Sequence, residues 1–119
     1  MILVDTSVWI DHFRSAAPAL VKALENGQVV SHPFVVGEIA LGHLRHRAEV
    51  VALLSELPAV PVADHSDVME FIELHALMAT GVGWVDAHLL CAASLAGLTL
   101  WTVDRPLRRQ ATRLAMHFS

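Results

Sequence analysis

Two apolar runs too short to be helices, each closed by an acidic residue, constrain this chain more than any other feature. Ile2-Leu3-Val4 leads straight into Asp5, and Leu98-Thr99-Leu100-Trp101-Thr102 runs to the neighbourhood of Asp104. Short apolar runs bounded by turn-forming residues read as buried strands. Beyond each run the period changes. After Asp5, where Thr6 or Ser7 can cap a helix, Val8, Trp9, Ile10 and Phe13 recur at helical spacing, and after Asp104 a basic helix opens at Pro106. Between them the pattern predicts a helix from Pro18 to Gly27, a short strand at Val29-Val30-Ser31, a helix from Pro33 to about Leu44 and a helical stretch around Val50, Val51 and Leu54. A brief strand at Val60-Pro61-Val62 comes next, then a helix capped by Ser66 with Met69, Ile72, Leu77 and Met78 on its apolar side, and a helix from Val85 to Ala96. Strands alternating with helices imply an α/β fold with a mainly parallel central sheet flanked by helices.

With 119 residues the chain fits a single domain, 1–119. Apolar residues make up 55% of it and mean hydropathy is +0.52, more than a small core easily hides, so part of the surplus is expected at an interface. The longest apolar stretch, His88 to Trp101, is interrupted by Ser94, Gly97 and Thr99 and falls short of the ~20 residues a bilayer span requires. The N-terminal residues lack the basic region and cleavage site of a signal peptide, and the expectation is a cytoplasmic protein without a membrane span. The lone Cys91 lies in the run Leu89-Leu90-Cys91-Ala92-Ala93 and reads as a small hydrophobe.

Net charge of −4 is unlike domains that hold nucleic acid by phosphate neutralisation alone. The placement of the acids carries more information than their number. Ligands in open α/β sheets gather beyond the carboxyl ends of the strands, where Asp5 and Asp104 both fall, although either could be only a helix cap. Asp86 shares a helical face with Leu89, Leu90, Ala93 and Gly97, which directs it inward, and an inward charge needs a partner. Glu38 is the single charged residue between Pro33 and His43, set among Phe34, Val35, Val36, Ile39, Ala40 and Leu41, with Gly37 and Gly42 offering room for another backbone.

Carboxylates brought together repel, by about 4 kcal/mol for one pair at 4 Å with an effective dielectric near 20. A cation makes such a cluster sensible. Oxygen-only ligation selects hard ions, Mg²⁺ or Mn²⁺, rather than zinc. Such ions position a water and offset charge on a phosphoryl group, so the chemistry implied is phosphodiester hydrolysis.

On Ile2-Leu3-Val4-Asp5-Thr6-Ser7-Val8-Trp9-Ile10, the helix bearing Glu38, Gly83-Trp84-Val85-Asp86-Ala87-His88-Leu89-Leu90 and Leu100-Trp101-Thr102-Val103-Asp104, the chain resembles the PIN-domain ribonucleases, and among them the VapC-like toxins of VapBC toxin–antitoxin systems. The resemblance covers essentially the whole chain. It implies a PIN-like fold and a Mg²⁺-dependent endoribonuclease, with Mn²⁺ as a substitute, acting on RNA. It also implies that Asp5, Glu38, Asp86 and Asp104 form the metal site, with Thr6 or Ser7 and Thr102 as supporting polar groups, and that the partners are a second copy and a VapB-like antitoxin. Many PIN domains carry a further acid two residues beyond the fourth; here that position is Pro106, which puts a tightly bound second metal in doubt. The other readings are a PIN nuclease of RNA processing that is not a toxin, and an inactive binding domain of the same fold.

Arg105, Arg109 and Arg113 recur at helical spacing with Arg108 adjacent, a stripe that could hold RNA phosphates or simply face solvent. Arg45 and Arg47 are a weaker candidate. His43 and His46 share a helical face but lack a third ligand. Trp9, Trp84 and Trp101 sit within apolar patterns and read as core. A phosphatase with Asp-x-Asp after its first strand, or a receiver domain with a late lysine, fits poorly: Thr6 and Ser7 follow Asp5, and Lys22 is the chain's one lysine. The helix bearing Glu38 is expected to line the groove that accepts an antitoxin segment, whose basic side chain would approach the acids.

Overall fold

In a computed structural model that describes residues 1–119, β1 (Ile2–Val4) lies between β2 (Val29–Val30) and β3 (Thr99–Trp101). Both pairings are parallel, with Leu3 opposite Val30 on one side and Leu100 on the other. Every strand therefore ends at the same edge. The residues leaving that edge are Asp5, the pair Ser31 and His32, and the segment Thr102 to Asp104. The strands are apolar on both faces because helices cover both, and Leu3, Val4 and Leu100 are fully buried.

The helices are α1 (Thr6–Arg14), α2 (Pro18–Glu25), α3 (Pro33–Leu41), α4 (Arg47–Glu56), α5 (His65–Leu74), α6 (Trp84–Ala96) and α7 (Arg105–Arg113). Helix α6 is the central one. Seven consecutive residues, Ala87 to Ala93, are buried, and the helix stops where Gly97 adopts φ 68, a left-handed conformation that glycine enters without strain. Cys91 is among those seven, and burial pushes its thiol above the usual range, as expected of an inert core residue.

Several local expectations shift. Val60-Pro61-Val62 forms no strand: the chain makes a single bridge, from Ala59 to Ser31 just beyond β2, because Pro61 has no N–H to continue a ladder. Helix α3 ends at Leu41 rather than Leu44. Helix α5 begins at His65 with Asp64 in the cap position, not Ser66, and ends at Leu74, so buried Leu77 and exposed Met78 lie in the turn beyond it. Thr6 and Ser7 lie inside α1, whose cap is Asp5. Gly37 meets no close neighbour, since a Cβ there would find nothing within 4 Å, and Glu38 beside it is exposed rather than enclosed. No helix is long and apolar enough to cross a membrane.

Candidate active site

The carboxyl edge of the sheet brings Asp5 and Asp104 together with Asp86 from the first turn of α6 and Glu38 from the middle of α3. Asp5 is 5% exposed and acts first as the N-cap of α1. Its Oδ2 accepts the Ser7 hydroxyl at 2.6 Å and the Thr102 hydroxyl at 2.8 Å. Each hydroxyl has one proton, and both protons go to Asp5. The hydroxyl oxygens in turn accept backbone N–H groups, Ser7 from Val103 at 3.2 Å and Thr102 from Asp104 at 3.1 Å. The 3.2 Å approach of the two hydroxyls to each other is then a contact with no proton left to share. A carboxylate, two hydroxyls and two amides thus lock the end of β1 to the end of β3.

The other three acids are each held more simply. Thr6 donates to Glu38 Oε1 at 2.8 Å, Gly83 N–H to Asp86 Oδ2 at 3.1 Å, and Leu107 N–H to Asp104 Oδ2 at 3.2 Å, the last making Asp104 the N-cap of α7. In all four acids the protein's hydrogen bonds fall on one oxygen and leave the other free of them. Asp86 is half-buried, which raises its carboxyl above the usual range. The Gly83 amide opposes that shift, and the negative charges of Asp5, Asp104 and Glu38 reinforce it. The other three acids therefore lie within electrostatic reach of Asp86.

Donor chemistry decides what could sit among them. The free atoms are carboxylate oxygens, which suit Mg²⁺ or Mn²⁺ and not a thiophilic ion. No three acidic, histidine or cysteine side chains are gathered as a ready-made ligand shell, so binding an ion would draw the mutually repelling acids inward. The residue types and the free oxygens fit a hard divalent cation.

The arginines expected at the substrate divide. Arg105, Arg108 and Arg109 are exposed on α7, whose first turn is capped by Asp104. Arg113 is committed elsewhere: its guanidinium donates to Gln110 Oε1 at 2.7 Å and to the carbonyl of His75, tying α7 to the end of α5. Pro106 packs against the loop before α6. A Cβ on Gly81 would come within 3.1 Å of the Pro106 Cβ, and Gly81 has φ 87 besides, so only glycine suits that position. Pro106 and Gly81 thereby fix the loop that carries Gly83 and its bond to Asp86.

Two features escaped the sequence. The helix bearing Glu38 buries Val35 and Ile39 and packs Phe34 edge-on to His32 and His88, and only Pro33 and Val36 of it line a hollow, of about 300 Å³, which it shares with α4. A larger and more apolar groove lies among α1, α2 and α4, about 490 Å³ in volume and lined by Trp9, Phe13, Leu24, Leu53, Leu54 and Leu57 among others. A second hollow of about 480 Å³ shares Phe13 and Val50 with it and continues toward Gly42. Trp84 also departs from the core reading, being 44% exposed where Trp9 is 3% exposed. A tryptophan at the first position of a helix, before the apolar face begins, was the available signal.

A model of the PIN domain family matches residues 2–112. Ribonuclease VapC32 of Mycobacterium tuberculosis, in strain CDC 1551 / Oshkosh and in strain ATCC 25618 / H37Rv, is 43% identical to this chain over 109 residues, spanning 91% of the chain and 88% of its own length. Among solved structures, PAE2754 from Pyrobaculum aerophilum superposes with a TM-score of 0.63 at 20% identity, covering 96% of this chain and 94% of that one, a likeness that speaks for the fold alone.

Proposed function

The chain belongs to the PIN-domain family, and from that premise we propose that it is a Mg²⁺-dependent endoribonuclease, the toxin of a type II toxin–antitoxin pair. The observation that carries the reading is the shared construction of the four acids. Each is anchored through one oxygen and keeps the other free, at the strand edge where α/β sheets gather ligands.

Asp5, Glu38, Asp86 and Asp104 would hold the ion. When bound, Mg²⁺ or Mn²⁺ supplies an activated water and offsets charge on the phosphoryl group. Ser7 and Thr102 keep the Asp5 carboxylate in one orientation, because both hydroxyls donate to the same oxygen. The Gly83 amide orients Asp86 and the Leu107 amide orients Asp104. Thr6 aims Glu38 from α1 across to the same edge. Exposed Arg105, Arg108 and Arg109 would meet RNA phosphates beside the site, where they offset the chain's net charge of −4 locally.

The apolar surface suggests two partners. The groove among α1, α2 and α4 would take an amphipathic antitoxin segment on its apolar walls. Exposed Leu41, Leu74 and Leu95 are the apolar surface available to a homodimer. A cytoplasmic location is part of the same reading, since that is where the RNA and the antitoxin would be met. The test is cleavage of RNA by the purified chain with Mg²⁺, with Mn²⁺ and in excess EDTA, alongside Asp86→Asn prepared identically. Cleavage that survives both chelation and the substitution would overturn the reading.

A further inference from the structure

Between the end of α5 and the start of α6 lies a hollow of about 210 Å³, separate from the apolar groove and adjoining the acids. Its walls include Ile72, Leu77, Met78, Val82, Gly83 and Trp84. Gly83 belongs to both places: it lines the hollow, and its N–H holds the Asp86 carboxylate at 3.1 Å. A group seated in the hollow therefore touches a residue hydrogen-bonded to an acid assigned to the ion.

The hollow is built to receive something flat. The Trp84 indole is braced by His65, with ring centroids 5.4 Å apart, and by the edge of His88, at 4.7 Å and 87°. Even so, 44% of its surface stays open. A braced aromatic ring left open to solvent costs little ordering entropy when a second ring stacks on it. No charged side chain lines the hollow, so a phosphate gains nothing by entering, whereas an apolar ring face does. The volume is below the roughly 300–1,000 Å³ of sites for drug-sized ligands and suits one ring system rather than a whole nucleotide. The loop is also set in place before any ligand arrives: Gly81 packs on Pro106, and the Thr80 hydroxyl donates to the Leu77 carbonyl at 2.7 Å. That same Pro106 opens α7, the helix that carries the exposed arginines.

We propose that this hollow is a nucleobase subsite, in which a base unstacked from single-stranded RNA lies against Trp84 and fixes which phosphate reaches the acids. The inference rests on the ribonuclease reading. Stacking of bases on aromatic side chains tolerates every base, so the subsite selects an unpaired nucleotide by its freedom to leave the helix. The apolar walls then discriminate by size rather than by hydrogen bonding.

The experiment compares the wild-type chain with Trp84→Ala and Trp84→Phe, using a short fluorescein-labelled single-stranded RNA of mixed sequence and a set of the same oligonucleotide with one abasic nucleotide at each position in turn. Trp84→Ala should raise KM on the order of tenfold with little change in kcat, and Trp84→Phe should restore most of the loss. One abasic position should raise KM of the wild type similarly and add nothing further to Trp84→Ala. Unchanged KM in Trp84→Ala, or abasic effects that add to it at every position, would overturn the subsite while leaving the nuclease intact. Loss of antitoxin binding with unchanged KM would assign the hollow to a protein side chain and equally overturn it. A wild-type chain that neither binds nor cleaves the RNA would remove the ribonuclease reading itself, and the subsite with it. The abasic series needs no altered protein, so the test stands even if Trp84→Ala folds poorly.

Discussion

Helix α1 separates two surfaces of opposite character. Its first turn, with Thr6 and Ser7 following Asp5, faces a carboxylate edge where every polar contact is specified. Its later turns present Trp9, His12 and Phe13 to a groove that is almost wholly apolar. The first surface depends on the orientation of a few atoms; the second depends on area. A single-atom change should therefore be severe at the edge and mild in the groove, and a change of polarity should have the reverse balance. The groove and the edge share a rigid element, so a segment docked in one bears on the helix that aims the other.

The largest effect that tests this contrast is Asp86→Asn, expected to lower RNA cleavage by on the order of a thousandfold while leaving antitoxin binding unchanged. Calorimetric titration with a VapB-like antitoxin and a cleavage time course measure the two sides together. If partner binding falls in step with activity, the two surfaces are not separable.

Acid stability should come next, and it belongs to the edge alone. His32 is fully buried, and its Nδ1 accepts the Phe34 N–H at 2.9 Å as the cap of α3, the helix that carries Glu38. Burial, and then the proximity of His88, lowers its pKa from 6.5 to about 4. Above pH 6.5 both folded and unfolded states are neutral there. Between 6.5 and about 4 only the unfolded state takes up the proton, so stability falls as pH falls through that window, by on the order of 3 kcal/mol in all. His88 and His117, lowered mainly by burial, act in the same sense. The difference between wild type and His32→Asn, which can keep the cap without titrating, isolates His32 in urea melts at pH 7 and pH 5. Equal pH slopes for the two would show that His32 is not held neutral.

In the groove, Leu53→Asp should weaken antitoxin binding by about 2 kcal/mol, roughly thirtyfold, with cleavage unaltered. Leu53 is 65% exposed in the isolated chain, so the fold should tolerate the change. Undiminished affinity would place the partner elsewhere. The smallest of the four effects is expected for Thr102→Val, which removes one proton from the Asp5 oxygen and the acceptor of the Asp104 N–H. Orienting groups of this kind are worth about 10–100-fold, and the lower end is expected here because Ser7 remains. A loss equal to that of Asp86→Asn would mean that Thr102 does more than orient.

The same division explains how much of the molecule is legible in its letters. Strands β1 and β3 are legible because an uninterrupted apolar run that is too short for a helix has few other uses. The run at Val60 to Val62 looks alike but meets the sheet only at Ala59, since proline's missing N–H overrides composition. The premature end of α5 is not legible: Ala76 adopts φ 51 with no glycine to announce it. Asp5, Asp86, Asp104 and Glu38 stand out as types in positions, yet the sequence cannot say that each is tethered by one oxygen, because Ser7, Thr102 and the Gly83 amide act through distances. The larger groove is hidden for a similar reason. Apolar side chains on α3 and on α4 look equivalent in a string of letters, and only packing shows that Val35 and Ile39 are covered while Leu53 is not.

Three of the four acids have a second task that outlives the chemistry. Asp5 and Asp104 cap helices and Asp86 ties down its own N-terminal loop, whereas Glu38 sits mid-helix and exposed, bonded only to Thr6. Losing a cap to alanine costs a helix about 0.5–2 kcal/mol, and losing Glu38 costs no such contact. In a lineage where the activity becomes a burden, inherited silencing should therefore enter first at Glu38, and the other three acids should persist as relics in chains that fold normally and no longer cut. Homologues keeping all but this one acid are where a decayed nuclease should be sought.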